Sequence, residues 1–410
     1  MTGSPVSFEN TEHAFAYKSD SELRKADFLF SSMSYKALVK LGTRITPWAI
    51  RIGLPISGIL KKTLFSQFVG GETLEETAAV EEKLEKFDVQ VILDYGVEGK
   101  EGEASFDHSC EEFIRVIRYA DSQPNMPFIS IKVTGFARFS LLEKLDAAAG
   151  DREGYSGMIH TEILSPSELE EWSRVEARME KIIRVAAEGK VGVLVDAEET
   201  WIQDPVDAIT MKMMRRYNGQ RAVVYNTIQL YRHDRMDFLR KTAAVAEAEN
   251  FIAGVKLVRG AYMEKERKRA AELGYPSPIQ PDKAATDRDY DESVNFSLDR
   301  LNTLAIVVAT HNEQSNELAL QRMQEKRIPN GHGHVHFSQL YGMSDNVSFN
   351  LARGGYHVSK YLPFGPVGDV VPYLMRRAQE NSSVAGHMGR ELGLIRKELI
   401  RRKRKKSLPD

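Results

Sequence analysis

Near the C-terminal end, Tyr373-Leu-Met-Arg376-Arg377-Ala-Gln-Glu380-Asn381 places a phenol, two guanidiniums and a carboxylate at i, i+3, i+4 and i+7. On a helix that spacing puts all four on one face. Two adjacent guanidiniums beside a phenol hold a small carboxylate through several charge-assisted hydrogen bonds. The same window carries an apolar stripe, Val371, Leu374, Met375 and Ala378, on the far side. The competing reading is therefore an amphipathic helix whose polar face is only solvated, with Arg–Glu pairs inside it.

Lys256-Leu-Val-Arg259-Gly-Ala-Tyr262 is a second unusual pattern, with two cations straddling an apolar pair in a buried-strand sequence. Strand alternation puts Lys256 and Val258 on one face and Arg259 on the other. Gly260 lets a ligand or another backbone approach closely. A buried lysine needs a partner, so the structural alternative is an ion pair with Asp196 or a glutamate. Thr310-His311-Asn312 reads as the opening of a loop, where a histidine caps a turn or bonds a cofactor or phosphate. Gly331-His332-Gly-His334-Val-His336 has the His-x-His spacing of some metal-dependent barrel hydrolases. These three enter a strand from its N-terminal end, which favours a structural role, and no metal is expected. There is no Gly-x-Gly-x-x-Gly after a strand, no Walker A sequence and no Gly-x-Ser-x-Gly elbow.

These residues need a scaffold, and 410 residues are enough for one large domain with extensions. The 56 Lys and Arg nearly balance the 58 Asp and Glu, which argues against a general nucleic-acid binder. The single cysteine, Cys110, excludes an internal disulfide and fits a reducing compartment. It falls at an apparent helix start, where a thiol pKa would drop, although a structural cysteine is the plainer reading. The apolar stretch 45–60 is broken by Pro47, Arg51 and Pro55 and is too short to span a bilayer. The ending Arg401-Arg-Lys-Arg-Lys-Lys406 reads as a disordered solvated tail, with attraction to an anionic membrane surface as the functional alternative.

Residues 1–86 look helical, including a helix opened by Thr73. Eight Val- and Ile-rich runs then recur with helical stretches between them: 89–94, 128–134, 191–196, 222–229, 254–259, 304–310, 335–340 and 357–361. Continuous apolar runs suit parallel strands buried on both faces. Eight strand–helix units in series predict an α/β fold, a (β/α)8 TIM-like barrel over 87–393, followed by the basic segment 394–410. Polar residues gather at the C-terminal end of every run, where barrel chemistry sits: Asp94 and Glu98, Lys132, Asp196, Gln229, Lys256, His311, Gln339 and Tyr361.

Taken in order, Asp196-Ala-Glu-Glu199, Lys256–Tyr262, Ala309-Thr-His-Asn312, Gln339-Leu-Tyr-Gly-Met343 and Tyr373–Asn381 resemble the proline dehydrogenases, flavoenzymes on a distorted (β/α)8 barrel. The resemblance covers 87–393 and looks like the monofunctional form. It implies oxidation of L-proline to Δ1-pyrroline-5-carboxylate by hydride transfer to flavin N5, with FAD as cofactor and a quinone as electron acceptor. By the same resemblance, Lys132, Arg376 and Arg377 bind the proline carboxylate, and Tyr361, Tyr373 and Leu340 wall the ring. Asp196 sits beside the active centre, and Lys256 falls where relatives place a cation near the flavin. Glu98 pairs with Arg376 to close the site. Gln229, Val258, Gly260, Ala261, Tyr262, His311 and Asn312 line the FAD, Lys283 and Thr286 meet its phosphate and adenosine portion, and Glu380 meets its adenosine end or braces its own helix. Two departures stand out: Met263 replaces a frequent aromatic, and Gln280-Pro281-Asp282 lacks the usual threonine. A cytoplasmic location follows for a bacterial source, peripheral on the inner membrane if the basic end binds lipid, and a mitochondrial one for a eukaryotic source. No motif specifies an oligomeric state. A metal-dependent hydrolase using His332, His334 and His336, and a Schiff-base aldolase using Lys132 or Lys256, are the competing enzyme classes.

Overall fold

The computed structural model describes residues 6–33, 35, 58, 61–96, 101–149, 153–383 and 385–407. Its strands are β1 (Gln90–Tyr95), β2 (Phe128–Ile131), β3 (Gly192–Val195), β4 (Val224–Gln229), β5 (Ala253–Val258), β6 (Leu304–Ala309), β7 (Val335–Leu340) and β8 (Val358–Phe364). They close into a barrel in the order β1 to β8. The ladders β1–β8, β2–β3, β3–β4, β4–β5 and β5–β6 are parallel. All eight apolar runs become strands because each is covered on both faces; β2, β3 and β4 are buried at every residue.

Local sequence sets the helix starts. Ser165 and Glu168 form a reciprocal capping box at the head of Pro166–Glu188. Thr73 caps Leu74–Glu85, and Asn312 caps Glu313–Glu325. Asp282 caps Lys283–Leu298 through its side chain, which accepts from Ala285 N. The run 128–134 stops as a strand at Ile131, and Val133–Gly135 folds into a 3-10 turn closed by Gly135 N–H donating to Lys132 O, 3.0 Å. The eighth run extends to Phe364 because Ile92 to Tyr95 pair with Tyr361 to Phe364.

The chain forms two compact units, Met1–Gly96 with Ser338–Asp410, and Val97–Phe337. In the first, Leu23, Ala26 and Phe30 of the helix Asp20–Met33 share an apolar core with Leu374 of Val367–Ser383 and with Leu394 and Ile395 of Ala385–Ser407. The basic ending is therefore not a disordered tail. It continues that last helix to Ser407, and Arg402 donates to Phe15 O and Lys18 O, 2.8 Å each, while Lys406 pairs with Asp20 at 2.6 Å. Carbonyls and acids of the N-terminal segment give the cations partners that solvent would otherwise supply. In the second unit, Trp172, Met179 and Ile183 of Pro166–Glu188 are buried, as are Phe113 and Ile117 of Glu103–Ser122. Among the described residues no helix is long and apolar enough to cross a membrane.

Cys110 is not at a helix start. Its helix begins at Glu103, so the thiol lies two turns in, buried, 3.7 Å from Arg178 O. Burial pushes the thiol up to about 11 rather than down. At pH 8 only about one thiol in a thousand is then ionised. Iodoacetamide should label native Cys110 at least about 100-fold more slowly than the urea-unfolded chain; equal rates by mass spectrometry would contradict the burial.

Candidate functional site

In the unit Val97–Phe337, polar side chains converge at the C-terminal ends of β2, β3, β4 and β5. Ser130 and Lys132 share one face of the β2 chain by alternation, and both reach Asp196, the residue after β3. Ser130 Oγ donates to Asp196 Oδ1 at 2.7 Å, and Lys132 Nζ stands 3.6 Å from Oδ2. Lys256 of β5 pairs with Oδ1 of the same carboxylate. Lys132 and Lys256 are only 8% and 6% exposed. Two lysines thus bracket one carboxylate in a poorly solvated place. The structural reading of Lys256, an ion pair with Asp196, is correct as geometry, and it leaves the cation at the barrel's C-terminal end, where chemistry sits.

Beside this cluster, Gln229 at the end of β4 donates Nε2 to Glu198 O at 2.8 Å. Its Oε1 is buried and takes no hydrogen bond from the described residues. A buried amide oxygen left this way suits a ligand N–H. Gly260, after β5, has φ +135°, and a Cβ there would sit 2.4 Å from the Tyr231 ring, so this position must be glycine. Arg259 turns the other way, as alternation requires. It donates to Asp287 (2.8 Å), Thr310 (2.7 Å) and Ser315 (2.9 Å) and lies over the Tyr290 ring at 4.3 Å. Its guanidinium thus braces the loops after β5 and β6. Lys283 is exposed and pairs with Asp287, while Thr286 is buried with its hydroxyl 3.2 Å from Asp282 O. Asn312 Oδ1 accepts from Ser315 N at 3.2 Å as a helix cap, and His311 precedes it, half-buried. Val258 and Tyr262 are half-buried, and Ala261 is exposed beside Gly260.

In the other unit, Tyr373 and Arg377 are both buried, and the guanidinium lies 5.2 Å from the Tyr373 ring centroid. Arg376 is half-buried. This face is therefore not a wet one. Val371, Leu374 and Met375 fill the core behind it, as the apolar stripe anticipates. Tyr361 in β8 is half-buried, as is Leu340 at the end of β7, and Asp94 in β1 is buried. Glu98 and the side chain of Glu380 lie outside the described residues.

Sequence reasoning missed three members of these networks. Ser130 is the donor to Asp196. The Thr134 hydroxyl lies 2.8 and 2.9 Å from the two carboxylate oxygens of Glu198. Asp287 links Arg259 to Lys283. The signal for Ser130 was present, since a polar residue two before Lys132 in an apolar strand must share its face. The histidines resolve differently: His334 Nδ1 lies 2.6 Å from Leu301 O, and His336 packs edge-on against Phe128 at 5.0 Å. Among the described residues no three His, Cys, Asp or Glu side chains are grouped to hold a metal ion.

The family model described as proline dehydrogenase matches residues 78–390. "Proline dehydrogenase 1, mitochondrial" of Arabidopsis thaliana is 33% identical over 93% of this chain and 83% of its own length. "Hydroxyproline dehydrogenase" of Xenopus laevis is 32% identical over 95% and 88%. The solved proline utilization A of Bdellovibrio bacteriovorus, inactivated by N-propargylglycine, superposes with a TM-score of 0.68 at 19% identity, covering 92% of this chain and 37% of that one. This chain thus spans little more than a third of that structure's length, and the likeness speaks to the fold.

Removing the shared anion exposes what the lysine cluster costs. Asp196→Asn should destabilise the protein by about 2–4 kcal/mol, because two buried ammoniums lose their counter-charge. Asp196→Asn with Lys256→Met should recover part of that loss in urea denaturation; strict additivity would show that the pair is not coupled.

Proposed function

The chain belongs to the proline dehydrogenase family and is an oxidoreductase of that class, and on this premise we propose that it oxidises L-proline to Δ1-pyrroline-5-carboxylate with FAD as its cofactor and a quinone as final acceptor. Family membership implies a flavin cofactor. The observation that carries the FAD assignment is the Gln229 amide oxygen, buried without a hydrogen bond from the described residues. Residues of the right chemistry for the rest of the cofactor follow β5 and β6: Lys283 and Thr286 for its phosphates, His311 for a polar edge. When bound, the flavin supplies the hydride acceptor at N5.

The chain's own residues do the positioning. Arg377 and Arg376 offer paired guanidiniums to the substrate carboxylate, and the Tyr373 ring lies beside the Arg377 fork. Lys132 adds a third cation by its own cluster with Asp196. Tyr361 and Leu340 give an apolar wall to the pyrrolidine ring. Holding the carboxylate orients the ring carbon next to nitrogen, so orientation accounts for much of the rate. Lys256, held by Asp196, keeps its positive charge available to a centre that gains negative charge during the reaction. The substrate amine must be neutral to release hydride. Lys403, Arg404 and Lys405, exposed on the last helix, support peripheral contact with an anionic membrane surface where a quinone is dissolved. The relative named hydroxyproline dehydrogenase makes hydroxyproline the substrate to test beside proline.

The purified protein should be yellow, and its visible flavin bands should bleach on anaerobic addition of L-proline. A colourless protein, or a yellow one that proline leaves oxidised, contradicts the proposal. Arg377→Met should raise the KM for proline at least about 30-fold, the loss of one buried charge-assisted pair worth about 2–5 kcal/mol. An unchanged KM would remove Arg377 from the carboxylate site.

A further inference from the structure

Asp345, at the head of the helix Asp345–Arg353, is 0% exposed. Three side chains converge on its carboxylate. Tyr17 Oη donates to Oδ2 at 2.8 Å, Lys18 Nζ lies 2.9 Å from Oδ2, and Lys360 Nζ lies 2.9 Å from Oδ1. The Tyr17 ring is stacked on Phe349 of the same helix, centroids 4.3 Å apart. Lys360, also 0% exposed, donates to Met343 O at 2.5 Å. A fourth charge, Glu391 of the last helix, accepts from Ser344 N–H at 3.1 Å. Burial and the nearby Asp345 carboxylate raise Glu391 to about 7, whereas the lysines hold Asp345 well below the usual carboxylate range despite its burial.

Such a cluster is poorly explained as a source of stability. Buried ion networks can often be replaced by apolar side chains with no loss, or a gain of about 1–4 kcal/mol. What they do supply is a specified arrangement. Here the arrangement fixes one segment, Leu340 to Ser344, residue by residue. Tyr341 N–H donates to Tyr361 O at 2.9 Å. Gly342 O accepts from Gln67 Nε2 at 2.8 Å, and Gly342, with φ +79°, would place a Cβ 2.0 Å from Gln67 O. Met343 O is held by Lys360 and Ser344 N by Glu391. The anchored segment begins with Leu340, and the anchoring lysine is the β8 neighbour of Tyr361. By alternation Lys360 and Tyr361 point to opposite faces, so the buried pair grips the strand from behind the residue that faces the other way.

We propose that Tyr17 and Lys18 are positioning residues for the substrate site, acting through Asp345 and Lys360 to set Leu340 and Tyr361. This rests on the reading of Leu340 and Tyr361 as the ring wall of a proline site. It gives the N-terminal segment a part in substrate binding through side chains that act by way of Asp345 and Lys360.

The test uses the full-length flavin-loaded protein with Tyr17→Phe, Lys18→Met, Leu340→Ala and the double variant Tyr17→Phe/Leu340→Ala. Steady-state kinetics on L-proline, flavin content and the thermal midpoint are measured for each. Tyr17→Phe keeps the ring stacked on Phe349 and removes one hydrogen bond, so it folds. Tyr17→Phe and Lys18→Met should raise the KM for proline about 3- to 10-fold with kcat and flavin content within about twofold of wild type. Adding Tyr17→Phe to Leu340→Ala should raise KM no further, since the wall it positions is already gone. Wild-type KM in both single variants, with only a lowered thermal midpoint, overturns the inference, as does full additivity in the double variant. If the wild-type protein does not turn over proline, the underlying functional reading fails and the inference falls with it.

Discussion

Much of this molecule follows from placing one carboxylate among cations. Asp196 takes Ser130, Lys132 and Lys256 from two other strands onto a single side chain. A carboxylate in this position would be costly alone, and each lysine would be costly without it. Together they offset one another's burial, held by strands whose backbones are fixed by parallel ladders. The barrel is what makes the arrangement possible, because only closure of a parallel sheet brings the ends of β2, β3 and β5 to one side with their polar residues in register.

The surrounding polar network follows the same logic on a longer leash. Arg259 cannot face the Asp196 cluster if Lys256 does, so it braces Asp287, Thr310 and Ser315 instead. Thr200 N–H and hydroxyl, in the loop after β3, are both held by the buried Glu266 at 2.7 Å. Loops at the strand ends are in this way tied to neighbouring helices rather than left to solvent. Asp345 performs the same task in the other unit, joining Tyr17, Lys18 and Lys360.

The legible parts of the sequence were those governed by short-range periodicity. The eight apolar runs, the helix opened by Thr73, and the Tyr373–Arg377 face all depend on residues within a few positions of each other, and the structure contains them. The opposite-face placement of Lys256 and Arg259 was legible for the same reason. The strand that stops at Ile131 was not, since a 3-10 turn competes with a strand through one backbone hydrogen bond that composition does not reveal. The basic ending was misread because a run of cations looks solvated until its acids are known, and those acids and carbonyls lie at residues 15–20.

By itself the sequence determined the barrel class, the strand count and the residue types available for chemistry, because burial on both faces and alternation leave their mark along the chain. Tertiary structure alone decided which of those residues meet. Lys256 and Asp196 are 60 positions apart, and Tyr17 and Asp345 are 328 apart. No periodicity extends over such distances; only the closing of the sheet and the docking of the terminal segments choose the partners, and the low dielectric of the interior then makes each choice energetically decisive.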